Sequence, residues 1–249
     1  MRSKRIAAVG LIVLAALTAC SPPEAPRTPL TVFAAASLHD TFEEVAAAFE
    51  SQNPSIDVRP IVSDGSNVLV TQLEEGAHAD VLATADEETM GRADDLTGDA
   101  EIFATNTLVI VVPAEGAGEI DDLSDLADPS RDVVLCAPVV PCGAASRALL
   151  EAAGVEVAPA SEEQNVTAVL TKVETGVADA GLVYRTDAIG RDVLAIEPAE
   201  AAGIVNRYPI AVVDDAEQPA AAADFVAFVA GPRGQAILAD HGFGAPDRP

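Results

Sequence analysis

Four short segments of this chain place uncharged hydrogen-bond donors where a helix should begin. They are residues 34–38 (AAASL), 65–67 (GSN), 140–143 (VPCG) and 165–166 (NV). The first turn of a helix has free N–H groups and the positive end of the helix dipole, so it binds anions without a cationic side chain. None of the four segments contains Lys or Arg. Together they predict a binding site for a fully ionised oxyanion.

The elements that position these segments follow an α/β pattern, in which short apolar strands alternate with amphipathic helices. Strands are predicted at residues 30–35, 56–62, 80–84, 107–113, 133–137, 180–184, 192–196 and 208–213. Helices are predicted at 37–52 with Ser37 as N-cap, from 66 onward, at 87–96, from the turn that contains Cys136 and Cys142 to Gly154, and from 166 to Gly176. Two more helices are predicted after residue 213. All four donor segments then lie between a strand and a helix, where α/β sheets bind ligands.

Two donor segments precede Thr107 and two follow it. This distribution predicts two lobes, residues 30–107 with 214–249 and residues 108–213, the second including the crossover strands. We expect the ligand to bind in the cleft between the lobes and to be buried by hinge closure.

The first 29 residues predict export and anchoring. Residues 1–19 have a basic start, a short apolar run and small residues before Cys20, which is typical of a signal peptide. The apolar run is too short to span a bilayer. Residues 17–20 (LTAC) resemble a bacterial lipobox, which implies lipidation of Cys20, a tether over residues 20–29 and an extracytoplasmic, lipid-anchored protein. The alternative is an ordinary signal peptide in which Cys20 is incidental.

The charge of the chain limits its partners. The formal net charge is −26, and loss of the three basic residues of the signal peptide would make it −29. Such acidity argues against binding nucleic acid or anionic membranes through charge. An anionic ligand is repelled at long range, so its affinity must come from local hydrogen bonds.

Cys136 and Cys142 are the only cysteines after residue 20. In an oxidising compartment this C-x5-C pair predicts a disulfide, and an extracytoplasmic thiol–disulfide redox enzyme is the alternative. A metal site is poorly supported, because His39, His78 and His241 show no ligand spacing with one another or with the cysteines. The sequence contains no P-loop, G-x-S-x-G or H-E-x-x-H motif, so we predict no enzymatic activity.

The order and spacing of the donor segments resemble those of the molybdate-binding proteins of bacterial ABC transporters. The resemblance covers residues 30–243 and rests on four motifs: residues 31–38 (TVFAAASL), 65–80 (GSN followed by QLEEGAHAD), 140–143, and 166–184 ending in GLVY. It implies the two-lobed type II periplasmic-binding-protein fold. It also implies a monomer that captures molybdate or tungstate and delivers it to a membrane permease, with no cofactor.

The resemblance further implies five ligand contacts. Ser37 and Ser66 would donate through hydroxyl and backbone N–H groups, Cys142 and Val166 through backbone N–H groups, and Tyr184 through its phenol. Molybdenum would then be present only as bound molybdate, with no direct protein–metal ligand. Every one of these groups donates, which suits an anion that offers only acceptors. Sulfate or another oxyanion is the alternative ligand.

Three residues depart from the family pattern. Asn67 replaces a common Ser, and Cys142 replaces a common Ala at a position whose backbone donates. Asp64 beside the second segment would repel a dianion if it faced the ligand, and Arg185 beside Tyr184 would attract it. We expect both charged side chains to point away, because successive side chains of an extended segment face opposite sides.

Overall fold

A computed structural model describes residues 26–115 and 120–246. The predicted signal peptide, Cys20 and the tether up to residue 25 lie outside the described residues. The strands are β1 Thr28–Leu30, β2 Val32–Ala35, β3 Ile56–Val58, β4 Val62–Asp64, β5 Val81–Ala83, β6 Glu101–Pro113, β7 Val133–Cys136, β8 Ser161–Glu163, β9 Ala180–Tyr184, β10 Val193–Ile196 and β11 Val205–Val212. The α-helices are α1 His39–Gln52, α2 Ser66–Glu74, α3 Glu87–Gly91, α4 Pro141–Ala153, α5 Val166–Glu174, α6 Pro219–Ala230 and α7 Pro232–Asp240.

One long sheet runs in the order β4-β2-β5-β11-β6-β9-β7-β8, and β10 pairs with β6. Strands β4, β2 and β5 pair in parallel, as do β8, β7 and β9. The antiparallel strands β11 and β6 lie between these two parallel groups. Strand β6 changes partner along its length: residues up to Thr107 pair with β11, and residues from Leu108 pair with β9. The α/β prediction is confirmed.

Helices pack on this sheet through apolar faces with helical spacing. In α1 the residues Phe42, Val45 and Phe49 recur every three or four positions and are buried. The ring of Phe42 packs against Phe103 of β6 and Phe225 of α6, with ring centroids 5.7 and 6.1 Å apart. This packing fixes the start of α1 against the sheet, where the first donor segment lies.

Two predicted helix ends are confirmed. Gly154 ends α4 in a left-handed conformation with φ of 67°, and Gly176 adopts φ of 68° just after α5. Glycine has no Cβ to clash in this conformation, which explains why both helices end there.

Several predicted boundaries are wrong, for reasons that differ from one element to the next. The strand at 30–35 is interrupted at Thr31, whose N–H donates to the Asp80 carboxylate. The strand at 56–62 is two short strands separated at Pro60, which has no N–H to donate. Helix α3 stops at Gly91, β6 begins already at residue 101, and β8 was not predicted because its residues Ser161–Glu163 are polar. Ser37 is not an N-cap, since it lies in a 3-10 turn, Ala36–Leu38, before α1.

Candidate ligand-binding site

The four donor segments converge on one small cavity. Each lies between a strand and a helix, as predicted: they join β2 to α1, β4 to α2, β7 to α4 and β8 to α5, although the strand β8 was not itself predicted. The fifth predicted contact, Tyr184, is the last residue of β9. The residues that line the cavity are Ala35, Ala36, Ser37, Gly65, Ser66, Ala85, Val140, Pro141, Cys142, Gln164, Asn165, Val166 and Tyr184. All five residues singled out from the sequence therefore face one space.

The cavity has room only for a small ligand. The volume of the cavity is about 20 Å³. One water molecule needs about 10–15 Å³, and pockets for drug-sized molecules enclose about 300–1,000 Å³. A compact ion fits this cavity, whereas a sugar or an amino acid does not.

The cavity is lined by uncharged groups. Lys, Arg, His, Asp and Glu are all missing from its lining in the described part of the chain. Ser66 and Val166 are the first residues of α2 and α5, and Cys142 is the second residue of α4. N–H groups in the first turn have no acceptor within their own helix, so these three are available to a ligand. Three helix dipoles also point their positive ends at the cavity.

The hydroxyl of Ser66 is arranged to donate. It is buried, and its Oγ accepts the backbone N–H of Ala85 at 3.1 Å. A hydroxyl carries one hydrogen, and acceptance of the Ala85 N–H leaves that hydrogen for the cavity.

The hydroxyl of Tyr184 has the same arrangement. It accepts a hydrogen bond of 2.9 Å from the Asn206 side-chain amide, which also donates to the carbonyl of Ala85 at 3.1 Å. Burial raises the pKa of Tyr184 well above 10, and the negative charge of nearby Asp86 and Asp187 adds to this shift. Tyr184 therefore stays protonated and keeps a hydrogen to donate.

Ser37 contacts a second tyrosine. Its Oγ lies 3.1 Å from the hydroxyl of Tyr208, which also receives a 3.5 Å contact from the Asn106 amide. Burial raises the pKa of Tyr208 as well. The rings of Tyr184 and Tyr208 pack edge to face with centroids 5.8 Å apart, so the two hydroxyl groups are held by one rigid aromatic pair.

The two charged residues next to the site form hydrogen bonds with other groups of the protein. The carboxylate of Asp64 accepts the N–H of Gly65 at 2.7 Å and the side-chain amide of Asn165 at 2.9 Å. The guanidinium of Arg185 donates to the carbonyl of Gly242. Neither side chain lines the cavity, and Asn67 does not line it either.

Cys136 and Cys142 form a disulfide, with Cα atoms 5.7 Å apart. The bond links the end of β7 to the first turn of α4 and so encloses the loop that presents the Cys142 N–H to the cavity. No cluster of three or more His, Cys, Asp or Glu residues suited to a metal ion occurs among residues 26–115 and 120–246.

Four further residues at the site were not predicted: Ala85, Gln164, Asn106 and Asn206. Ala85 and Gln164 line the cavity, while the two asparagines are buried behind the tyrosines. Neither asparagine carries a clear signal in the sequence, because Asn106 lies between two threonines and Asn206 precedes Arg207. Their burial in the fold is what requires each amide to be hydrogen-bonded.

Comparison with known proteins identifies the family. Residues 30–244 match the profile of the family described as bacterial extracellular solute-binding protein. The molybdate-binding protein ModA of Mycobacterium tuberculosis is 43% identical over 252 residues, covering 96% of both chains. ModA of Escherichia coli is 30% identical, covering 86% of this chain and 88% of its own length.

Solved structures show the same fold. The periplasmic molybdate-binding protein of Azotobacter vinelandii superposes with a TM-score of 0.75 at 22% identity, over 88% of this chain and all of that one. The sulfate-binding protein SubI of M. tuberculosis superposes with a TM-score of 0.73 at 20% identity, over 89% and 88% of the two chains. The predicted type II periplasmic-binding-protein fold is confirmed.

Membership of this family confirms three further predictions. Its members bind solutes for transport and are not enzymes, they act outside the cytoplasm, and they carry their ligand as cargo and not as a cofactor. No helix in the described part of the chain has both the length and the apolar character needed to cross a bilayer. The chain belongs to the bacterial extracellular solute-binding proteins and is similar to their molybdate-binding members.

Proposed function

We propose that this protein captures molybdate or tungstate outside the cytoplasm and delivers it to the permease of an ABC transporter. The observation that carries the proposal is the small cavity lined by uncharged donors from four strand-to-helix junctions. Ser37, Ser66 and Tyr184 would bind the oxyanion through their hydroxyl groups, and Cys142 and Val166 through backbone N–H groups. The similarity to two proteins named molybdate-binding, at 43% and 30% identity, supports this ligand.

The hydrogen-bond donors that the described residues bring to the cavity suit a dianion as ligand. A tetrahedral oxyanion without a proton offers acceptors on every oxygen, and all five proposed contacts donate. Hydrogen bonds to an ion are stronger in a buried, water-poor site than in water. The charge is then balanced by helix dipoles and O–H groups, and discrimination rests on cavity size and on the number of fixed donors.

We also propose a two-lobed arrangement around this site, with a lipid anchor at Cys20 and a monomeric protein. The change of partner along β6 at Thr107 supports the first lobe boundary. Strand β11 pairs with β5 and with the first part of β6, which favours placing residues 205–212 in the sheet of the first lobe. Mass spectrometry of the membrane-extracted protein would test the anchor on Cys20.

Calorimetric titration of the ligand-free protein tests the proposed ligand. Molybdate, tungstate, sulfate and hydrogen phosphate are titrated separately into the same protein. We expect submicromolar affinity for molybdate or tungstate and much weaker binding of the other two. Submicromolar sulfate binding without a molybdate signal would overturn the proposal in favour of a sulfate-binding protein.

A further inference from the structure

We propose that Asn206 is a positioning residue that holds Tyr184 as a donor to the bound anion. This inference rests on the proposed function and deepens it. By keeping the Tyr184 hydrogen directed at the cavity, Asn206 gives the site its preference for oxyanions that carry no proton.

The orientation of the Asn206 amide follows from its two partners. The side chain is buried on β11, and its Nδ2 lies 3.1 Å from the carbonyl oxygen of Ala85 and 2.9 Å from the hydroxyl of Tyr184. A carbonyl oxygen only accepts, so the nitrogen end of the amide must face Ala85. The second hydrogen of the same nitrogen then goes to Tyr184, whose oxygen has to accept it.

This acceptance determines the direction of the Tyr184 hydrogen. The hydroxyl has one hydrogen, and Asn206 has no acceptor at that point to receive it. The neighbouring Tyr208 hydroxyl contacts Ser37 and Asn106, and the Tyr184 hydroxyl can also donate to it. A charged oxygen is a stronger acceptor than a neutral hydroxyl, so the Tyr184 hydrogen goes to an anion bound in the cavity that Tyr184 lines.

Ala85 connects Asn206 to Ser66 through hydrogen bonds. Its N–H donates to the Ser66 hydroxyl, and its carbonyl accepts from Asn206. One residue that follows β5 therefore connects hydroxyl donors contributed by α2 and by β9. A protonated oxyanion needs an acceptor for its hydrogen. Each of these hydroxyl groups already accepts one buried hydrogen bond and has its own hydrogen to donate to the ligand, so it serves better as a donor than as an acceptor there.

The substitution Asn206→Asp tests this inference because it nearly preserves shape and reverses the direction of one hydrogen bond. The new side chain presents an oxygen to Tyr184, which then donates to it and turns its hydrogen from the cavity. When protonated, the carboxyl can still donate to the Ala85 carbonyl. We expect molybdate affinity to fall about ten- to a hundredfold. Affinity for hydrogen phosphate should stay equal or rise, so the molybdate-to-phosphate ratio should collapse.

A double-mutant cycle with Tyr184→Phe separates this effect from the added negative charge. If Asn206 acts through the Tyr184 hydrogen, Asn206→Asp should cause little further loss once the hydroxyl has been removed. Equal losses of molybdate affinity in both backgrounds would overturn the inference, as would an unchanged molybdate-to-phosphate ratio. At about pH 8 both ligands are dianions, so simple charge repulsion weakens both alike.

Two further measurements keep the test decisive. Asn206→Leu removes the donor without adding charge, and it should weaken molybdate binding less than Asn206→Asp does, because Tyr184 is then free to rotate. Thermal unfolding of each ligand-free variant identifies any that do not fold. The parent titration tests the proposed ligand separately: if the parent binds sulfate and not molybdate, the proposed function fails and the same cycle is run with sulfate.

Discussion

At the scale of residues, this protein combines a strongly acidic chain with a neutral ligand cavity. The formal net charge of the chain is −26, yet none of the described residues that line the cavity is charged. Long-range electrostatics therefore oppose anion capture, and short hydrogen bonds must supply the affinity. Each donor should then have a measurable individual effect on binding.

Replacing Ser37 or Ser66 by Ala should weaken molybdate binding about ten- to a hundredfold. Each change removes one hydroxyl donor to a buried charged oxygen, which is worth about 1.5–3 kcal/mol. The matched control is Ser51→Ala, since the exposed Ser51 hydroxyl donates to the Ala48 carbonyl near the end of α1. Calorimetric titration measures all three variants. If Ser37→Ala and Ser66→Ala both bind like the control, the proposed site is wrong.

Asp187 should make stability depend on pH. Its carboxylate accepts the backbone N–H of Tyr184 at 3.0 Å, and burial raises its pKa from 3.8 to about 7 although this hydrogen bond and Arg191 oppose the shift. Between these pH values the folded state holds a proton that the unfolded chain has lost. The stability contributed by Asp187 is therefore complete below about pH 4 and is lost as pH rises through about 7.

The substitution Asp187→Asn keeps an acceptor for Tyr184 and removes this titration. We expect the free energy of unfolding of the parent, relative to the variant, to fall as pH rises between about 4 and 7 and then to level off. Denaturant unfolding at a series of pH values measures this difference. Asp224→Asn on the exposed side of α6 is the control for loss of one carboxylate. Parallel parent and Asp187→Asn curves would contradict the prediction.

At the scale of elements, the starts of α2 and α5 meet across the site. A Cβ on Gly65 would lie 2.3 Å from the carbonyl oxygen of Gln164, and Asp64 and Asn165 are joined by a 2.9 Å hydrogen bond. Asn165 also caps α5 by accepting the N–H of Ala168. The close approach of these two loops encloses one side of the cavity.

Gly65→Ala should therefore weaken ligand binding by holding these loops apart. Overpacking of this kind costs about 1–3 kcal/mol, which corresponds to a loss of about five- to 150-fold in affinity when it acts only on the closed state. The matched control is Gly91→Ala at the end of α3, where an added Cβ meets nothing within 4 Å. Equal molybdate affinity in the two variants would show that the contact between Gly65 and Gln164 is not needed for binding.

The disulfide should act on the turn that presents the Cys142 N–H. Its loop is short, so its effect on overall stability is expected to be small compared with its effect on the order of that turn. The double variant Cys136→Ser, Cys142→Ser should bind molybdate more weakly by about 1 kcal/mol, because the turn then has to be ordered on binding. Calorimetry of the parent and the variant measures this, and an unchanged affinity would make the bond purely structural.

At the scale of the whole molecule, the site needs both ends of the long sheet. Ser37 and Ser66 follow β2 and β4 near one end, whereas Cys142 and Val166 follow β7 and β8 near the other, and Tyr184 is the last residue of β9. Contacts from both sides of one anion favour the state in which the two sides are close.

Ligand should therefore compact the molecule and stabilise it. We expect saturating molybdate to reduce the radius of gyration in solution scattering and to raise the melting temperature in a concentration-dependent way. The Ser66→Ala variant at the same molybdate concentration should show a smaller shift in melting temperature. Scattering curves that are identical with and without ligand would count against closure.

The sequence by itself determined the features that depend on near neighbours in the chain. The α/β alternation, the helix starts at the donor segments, the ends of α4 and α5 at Gly154 and Gly176, and the pairing of two cysteines six residues apart could all be predicted, whereas the polar strand β8 could not. Caps, dipoles and left-handed glycines act over a few residues, so local patterns are sufficient for them. Boundaries were predicted less well where a distant partner intervened, as at Thr31 with Asp80.

Only the tertiary structure decided which way the donors of the site point. Asn206 and Asn106 face each other across β11 and β6, and Asn206 reaches Ala85, which is 121 positions away along the chain. Asp64 and Asn165 are joined across 101 positions, and Ser37 contacts Tyr208 across 171. The direction of a hydroxyl hydrogen depends on which neighbour donates to its oxygen, and strand register and loop packing bring that neighbour into place.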